Sequence, residues 1–283
     1  MMRLMVLGGT FLGALVLAVG ATRAADPLPP LLRDGEVTRA GDVVAFLTHP
    51  TDRYAHGVLG DAIEAEGFAV ERGGKRYEVR LTDGSVFEDR RVRLLDIDGD
   101  AAPEAIVVRS FPDKGAALAV YRLGKAKIEP LTETAPIGTA NRWLNPVGVV
   151  EMGQDGRKFI AAVITPHLTG SLRFYELRGK GLVEVTRLDG VTNHINGSRN
   201  LDLAVVQDVD GDGADDIVIP TLDRKALAVV MLRAGKAQIV ERIEIRPGRV
   251  IELAAQPDKG RFQVLTEGGE RVMVTSALRQ KTR

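Results

Sequence analysis

Residues 208–216 read Asp-Val-Asp-Gly-Asp-Gly-Ala-Asp-Asp, five carboxylates in nine positions with two glycines among them. Such a run repels itself unless a cation sits inside it. A loop with acids at positions 1, 3, 5 and 9 and a backbone carbonyl at position 7 can wrap one hard divalent ion in oxygen. Asp208, Asp210, Asp212 and Asp216 take the side-chain positions, and Ala214 offers the carbonyl. Gly211 and Gly213 permit the positive-φ turns that a tight wrap demands. Asp215, at position 8, is expected to point away. The ninth position comes too early for the bidentate glutamate of a twelve-residue helix–loop–helix site, and no helical pattern flanks the loop.

The spacing recurs upstream. Asp96, Asp98, Asp100 and Glu104 repeat the acids, with Ala102 as the carbonyl donor. Here Ala101 stands where the other loop has Gly213, and Pro103 stiffens the exit, so weaker or slower binding is expected. Residues 149–155 form a third copy that keeps Glu151 and Asp155 and is expected to bind nothing. Gly60-Asp61 and Ile251-Glu252 read as eroded first and last copies. Asp and Gly are also the commonest turn residues, so a solvated acidic turn is the alternative at each place. Two copies at one point of a repeat, each leading into an apolar run, favour an ion. Calcium is expected, in one or two sites, with magnesium as the alternative.

Between these loops the apolar runs are short: Val43–Leu47, Ala105–Val108, Ile160–Ile164 and Ile217–Ile219 have strand length and are rich in β-branched residues. Residues 60–67 give a faint helical hint. Three alternating hairpins align, at 117–128, 171–182 and 226–239, with Leu118, Leu172 and Leu227 at intervals of 54 and 55 residues. Residues 76–86 read as a weaker fourth. Units of 40 to 57 residues with four strands each are the grain of a β-propeller. The expected fold is therefore all-β, a single propeller over residues 38–283 with five blades, six or seven being open, and calcium loops between the first and second strands of a blade. Val43–Leu47 is expected to complete the last blade. A β-sandwich array is the competing arrangement.

Asp208–Ile219 together with Leu95–Val108 resembles the FG-GAP/VCBS repeat family, whose relatives include the integrin α-subunit propeller. The resemblance rests on two good motifs and two or three eroded ones, spread over most of the chain. It implies a propeller with calcium in the loops between the first two strands of a blade. It says little about function, because such propellers serve adhesion proteins, receptors and some polysaccharide-acting enzymes.

Composition bounds the rest. With 38 basic and 38 acidic residues the chain carries no net charge, which argues against nucleic acid as a partner. There is no cysteine, hence no disulfide, thiolate metal site or cysteine nucleophile. Residues 1–25 have the layout of a secretory signal: Met-Met-Arg, an apolar stretch from Leu4 to Val19, then small residues. Sixteen residues span about 24 Å as a helix, short of a bilayer core. Cleavage after Ala21, Ala24 or Ala25, a linker over residues 26–37, and a periplasmic or secreted monomer without a membrane anchor are expected.

Three segments upstream of the acidic positions carry unusual side chains: Arg53, Tyr54 and His56; Arg142, Trp143 and Asn145; His194 and Arg199. The arginines precede the first acid by 8, 9 and 9 residues, so a closed ring would gather them at the channel mouth, with His167 near the same face. An arginine-rich, aromatic mouth suits an anionic ligand, an acidic glycan or the acidic loop of a partner protein. Equally, these residues can cap carbonyls and pair with internal acids. No nucleophile elbow, phosphate loop or His-Glu-x-x-His pattern is present. The expected function is a non-catalytic calcium-binding interaction module. The alternatives are an enzyme acting on an acidic polysaccharide, with His56, His167 or His194 as acid or base, and a purely structural envelope component.

Overall fold

The computed structural model describes residues 17–23, 27–153 and 156–282. It is all-β apart from one 3-10 turn at Ala277–Thr282. Expectations for residues 1–16, 24–26 and Asp155 lie outside the described residues.

The strands form antiparallel meanders. The first comprises β1 (Leu17–Arg23), β2 (Thr38–Ala40), β3 (Val43–Thr51), β4 (Glu64–Arg72) and β5 (Lys75–Arg80). Its order is β2-β3-β4-β5-β1, so a strand from the segment expected to be a leader lines the outer edge of β5. The short β6 (Val86–Phe87) bridges β4 to the next meander, β7 (Arg93–Leu95), β8 (Glu104–Phe111), β9 (Gly115–Leu123) and β10 (Ile128–Glu133). Two separate four-stranded sheets follow. One is β11 (Leu144–Glu151), β12 (Lys158–Ile164), β13 (Ser171–Arg178) and β14 (Gly181–Leu188). The other is β15 (Val205–Gln207), β16 (Asp216–Pro220), β17 (Ala226–Arg233) and β18 (Lys236–Glu244). The last has three strands, β19 (Val250–Ala255), β20 (Arg261–Thr266) and β21 (Arg271–Thr275).

Burial explains why the sequence shows unbroken apolar runs rather than alternation. Each core cluster lies between consecutive meanders, and the middle strands feed two clusters at once. On β8, Val107 faces the first core while Ile106 and Val108 face the second. On β12, Ile160, Ala162 and Ile164 face the second core, and Phe159, Ala161 and Val163 the third. On β17, Ala228 and Val230 face the third core, and Leu227, Val229 and Met231 the fourth. The sheets are thus stacked face to face. First strands touch along one side (β2 with β7, β11 with β15, β15 with β19), and outer strands along the other (β5 with β10, β10 with β14, β14 with β18).

Among the described residues no strand pairing joins the last meander to the first. β20 alternates buried and half-buried residues, as a sheet with one open face must, and Met273 on β21 is exposed. Closure at the ends is therefore not observed, while the all-β, four-stranded grain is. Val43–Leu47 lies inside β3, paired with β2 and β4 of the first meander rather than with the last one. The helical hint at 60–67 resolves into a bend over 60–62 followed by the start of β4. The hairpin expected at 76–86 is one strand out: β5 pairs with β4 across Gly73-Gly74, both at positive φ, where glycine carries no steric penalty. The other three hairpins form as expected, β9–β10, β13–β14 and β17–β18.

Candidate metal centres and the histidine–arginine face

The two acidic loops sit at equivalent places, between β7 and β8 and between β15 and β16. Five hydrogen bonds give them one shape. Gly99 N donates to Asp96 Oδ1 at 2.7 Å and Ala101 N to Asp96 Oδ2 at 3.2 Å; Gly211 and Gly213 do the same to Asp208 at 2.7 and 3.2 Å. Asp98 Oδ1 and Asp210 Oδ1 accept from Asp100 N and Asp212 N, and the Oδ1 atoms of Asp100 and Asp212 accept in turn from Ala102 N and Ala214 N. Finally Ile97 N reaches Glu104 and Val209 N reaches Asp216. Carboxylate oxygens of Asp96, Asp98 and Glu104 come within 4.8 Å of one another, as do those of Asp208, Asp210 and Asp216. Asp100 and Asp212 fall outside those triads, their carboxylates turned to the loop backbone.

This donor set fits a hard divalent cation: oxygens only, convergent, on a loop already shaped by its backbone. Electrostatics agree. Glu104 and Asp216 are buried beside the other loop carboxylates, which pushes each up to about 7. Charge that burial and crowding penalise in this way is what a bound cation relieves. Asp215 does point away: its carboxylate accepts Glu151 N at 2.8 Å, and its own N–H donates to Glu151 O at 2.9 Å, tying the fourth meander to the third. The two eroded copies are not equivalent loops. Asp61 lies between β3 and β4, the middle pair of the first meander, and Glu252 lies within β19.

The opposite face gathers many of the expected ligand residues, but by burying them. Trp143 is 2% exposed; it stacks on His167 at 6.3 Å, meets His194 edge-on at 4.8 Å and donates its indole N–H to the Glu88 carbonyl at 2.9 Å. Asn145 and Asn193 exchange side-chain N–H donations with each other's carbonyls, and Asn145 also donates to Leu201 O at 2.9 Å. These bonds fasten the connection between β14 and β15 against β11. Tyr54 is buried edge-on to His56, whose Nδ1 meets Glu88 Oε1 at 2.6 Å.

His194 Nε2 faces the Ser198 carbonyl at 2.9 Å and so carries the proton there. Burial lowers both His194 and His167 to about 4, so both rings are neutral at pH 7. His194 Nδ1 is then an acceptor, and His167 Nε2–H donates to it at 2.9 Å. The remaining lone pair is on His167 Nδ1.

The arginines are divided. Arg53 pairs with Glu66, and Arg199 with Asp61 at 3.1 Å and Asp34 at 3.7 Å. Arg142 is half-buried and donates to the Asn141 carbonyl at 3.0 Å. Arg199 and its partners Asp34 and Asp61 border a groove of about 910 Å³, lined also by Arg33 and Arg90 and by an apolar wall from Leu31, Leu32 and Ile63.

Residues that the sequence did not single out form the hub between these parts. Glu88 and Asp89 are fully buried; Ser110 donates to Glu88, and Asp89 accepts from Arg93 at 2.6 Å and from Val108 N at 3.1 Å. Burial and nearby carboxylates push Glu64 up to about 9. In sequence, Glu88-Asp89-Arg90-Arg91 looks like a solvated charge run, and only packing between the first two meanders shows otherwise.

No family model matches the chain, and no curated protein is similar to it. Among the described residues no helix is long and apolar enough to cross a membrane.

Proposed function

We propose that the protein is a non-catalytic, calcium-binding β-propeller module of the FG-GAP/VCBS type, acting outside the cytoplasm, whose Arg199 groove takes an acidic loop of a partner protein. The observation that carries this reading is the repetition of five loop hydrogen bonds around two converging carboxylate triads. Asp96, Asp98 and Glu104 would hold one ion and Asp208, Asp210 and Asp216 the other, with Ala102 and Ala214 carbonyls and the Asp100 and Asp212 side chains completing the oxygen shell. The ion supplies charge neutralisation and rigidity. The meanders, stacked through both faces, are the blades of this reading.

Arg199 pairs with Asp61 and Asp34, and Arg90 with Asp34 and Glu36. The exposed Arg33, which has no ion pair among the described residues, is therefore the cation open to an acidic ligand, and the apolar wall suits a peptide segment. The buried polar groups speak against catalysis: Glu88 is taken by His56 and Ser110, and His167 and His194 are neutral and tied to each other.

Equilibrium dialysis of metal-stripped protein should find two bound calcium ions, one lost in Asp98→Ala and the other in Asp210→Ala. No calcium uptake would end the metal reading. Capture of extracellular proteins by wild type but not by Arg199→Ala/Arg33→Ala supports the groove. Equal capture by both removes it, and release of reducing ends from an acidic polysaccharide would favour an enzyme.

A further inference from the structure

Each acidic loop has a companion lysine. Lys158 Nζ lies 2.8 Å from Asp96 Oδ2, and Lys259 Nζ 2.7 Å from Asp208 Oδ2. Neither lysine belongs to the meander that carries the loop. Lys158 opens β12, just after the first-to-second-strand connection of the third meander, and Lys259 lies in the corresponding connection of the fifth. The connection that keeps its acids in the second and fourth meanders thus offers a lysine in the third and fifth. The contact atom is also the same. Oδ2 of position 1 accepts the ammonium together with the position-6 N–H, of Ala101 in one loop and Gly213 in the other. Two donors fill the two lone pairs of that oxygen.

We propose that Lys158 and Lys259 are built-in competing cations: each neutralises the first aspartate of an ion-free loop and opposes a divalent ion for it, so that the lysine sets the loop's metal affinity. This rests on the calcium reading of the loops. Ion entry breaks the lysine–aspartate pair, and a unit-charge pair at 2.7–2.8 Å in water-rich surroundings is worth about tenfold in affinity. Exposure then separates the two sites. The Lys158 side chain is 27% exposed and that of Lys259 60%, so screening weakens the second effect. Because each lysine comes from the next meander, ion entry also frees a side chain that bridges two sheets.

The test is calcium binding by equilibrium dialysis, with thermal melts, on metal-stripped wild type, Lys158→Met, Lys158→Arg and Lys259→Met. Lys158→Met should bind about tenfold more tightly at one site, while its melting temperature without ion falls. Lys259→Met should show a smaller gain at the other site, and Lys158→Arg should stay near wild type. A purely structural bridge would instead lower the melting temperature equally with and without calcium. Unchanged or weaker binding by Lys158→Met, in a protein that still binds calcium, overturns this inference and leaves the calcium reading intact. No calcium uptake by either folded protein overturns both.

Discussion

Stripped of metal, the protein should lose stability as pH rises, and calcium should cancel most of that loss. Glu104 and Asp216 close the two loops, and burial among other carboxylates raises them from 4.5 and 3.8, respectively, to about 7. Between roughly pH 4 and pH 7 the folded state therefore keeps protons that the unfolded chain has released. Stability falls with rising pH wherever the native state binds more protons, so the loss grows through this window and is complete above pH 7. Without screening, the two shifts correspond to about 3 and about 4 kcal/mol. Water at the loop rims reduces this, and about half is expected, or roughly 3–4 kcal/mol for both loops. For a chain of this size that is about 10 °C in melting temperature. Melts at pH 5 and pH 8, in chelator and in calcium, read it directly. Calcium should stabilise by about 10 °C at pH 8 and far less at pH 5, where protons compete. Glu64, pushed up to about 9, adds a fall that calcium leaves untouched, and Glu64→Gln should flatten it. Glu104→Gln/Asp216→Asn should raise the ion-free melting temperature at pH 8 and abolish the calcium response. With metal removal verified, an equal pH 5-to-pH 8 difference with and without calcium would refute the reasoning.

Other substitutions probe the frame. Ala101 is held at φ 64°, where its counterpart Gly213 has φ 91°; Ala101→Gly should relieve about 1 kcal/mol of left-handed strain, partly offset in the unfolded chain, and tighten calcium at the first loop in dialysis. Gly213→Ala should do the reverse at the second. Gly170 has φ 62°, and a Cβ there would lie 1.9 Å from the Val191 carbonyl; Gly170→Ala should cost at least about 3 kcal/mol in urea unfolding. Arg93→Met leaves the Asp89 charge buried without its partner, for about 3–5 kcal/mol. Adding Asp89→Asn should recover part of that loss.

The loops were legible because their function is local. The Asp208 motif shapes itself through hydrogen bonds no more than seven residues apart, and the Asp96 copy does so in the same way. The strands were legible because central strands buried on both faces must be continuously apolar, as β8, β12 and β17 are. The first meander carries no loop motif to mark its register: Asp83-Gly84 has the look of a hairpin turn, yet β4 and β5 turn at Gly73-Gly74, and Asp61 lies in the β3–β4 connection rather than in the first-to-second-strand loop. The expected channel mouth shows the deeper limit. The sequence brought Arg53, His56, Trp143, Asn145, His194 and Arg199 to notice by residue type, and most of them do meet. Whether they meet as an open site or a packed hub depends on Glu66, Glu88, Asp61 and Asn193, which approach from far along the chain. The amino-acid sequence alone determined the strands, their repeat and the acidic loops, since each is set by neighbours in the chain. Tertiary structure decided which charges are buried, which arginines are already paired and which lysine faces which loop, because burial and long-range pairing exist only once the sheets are stacked.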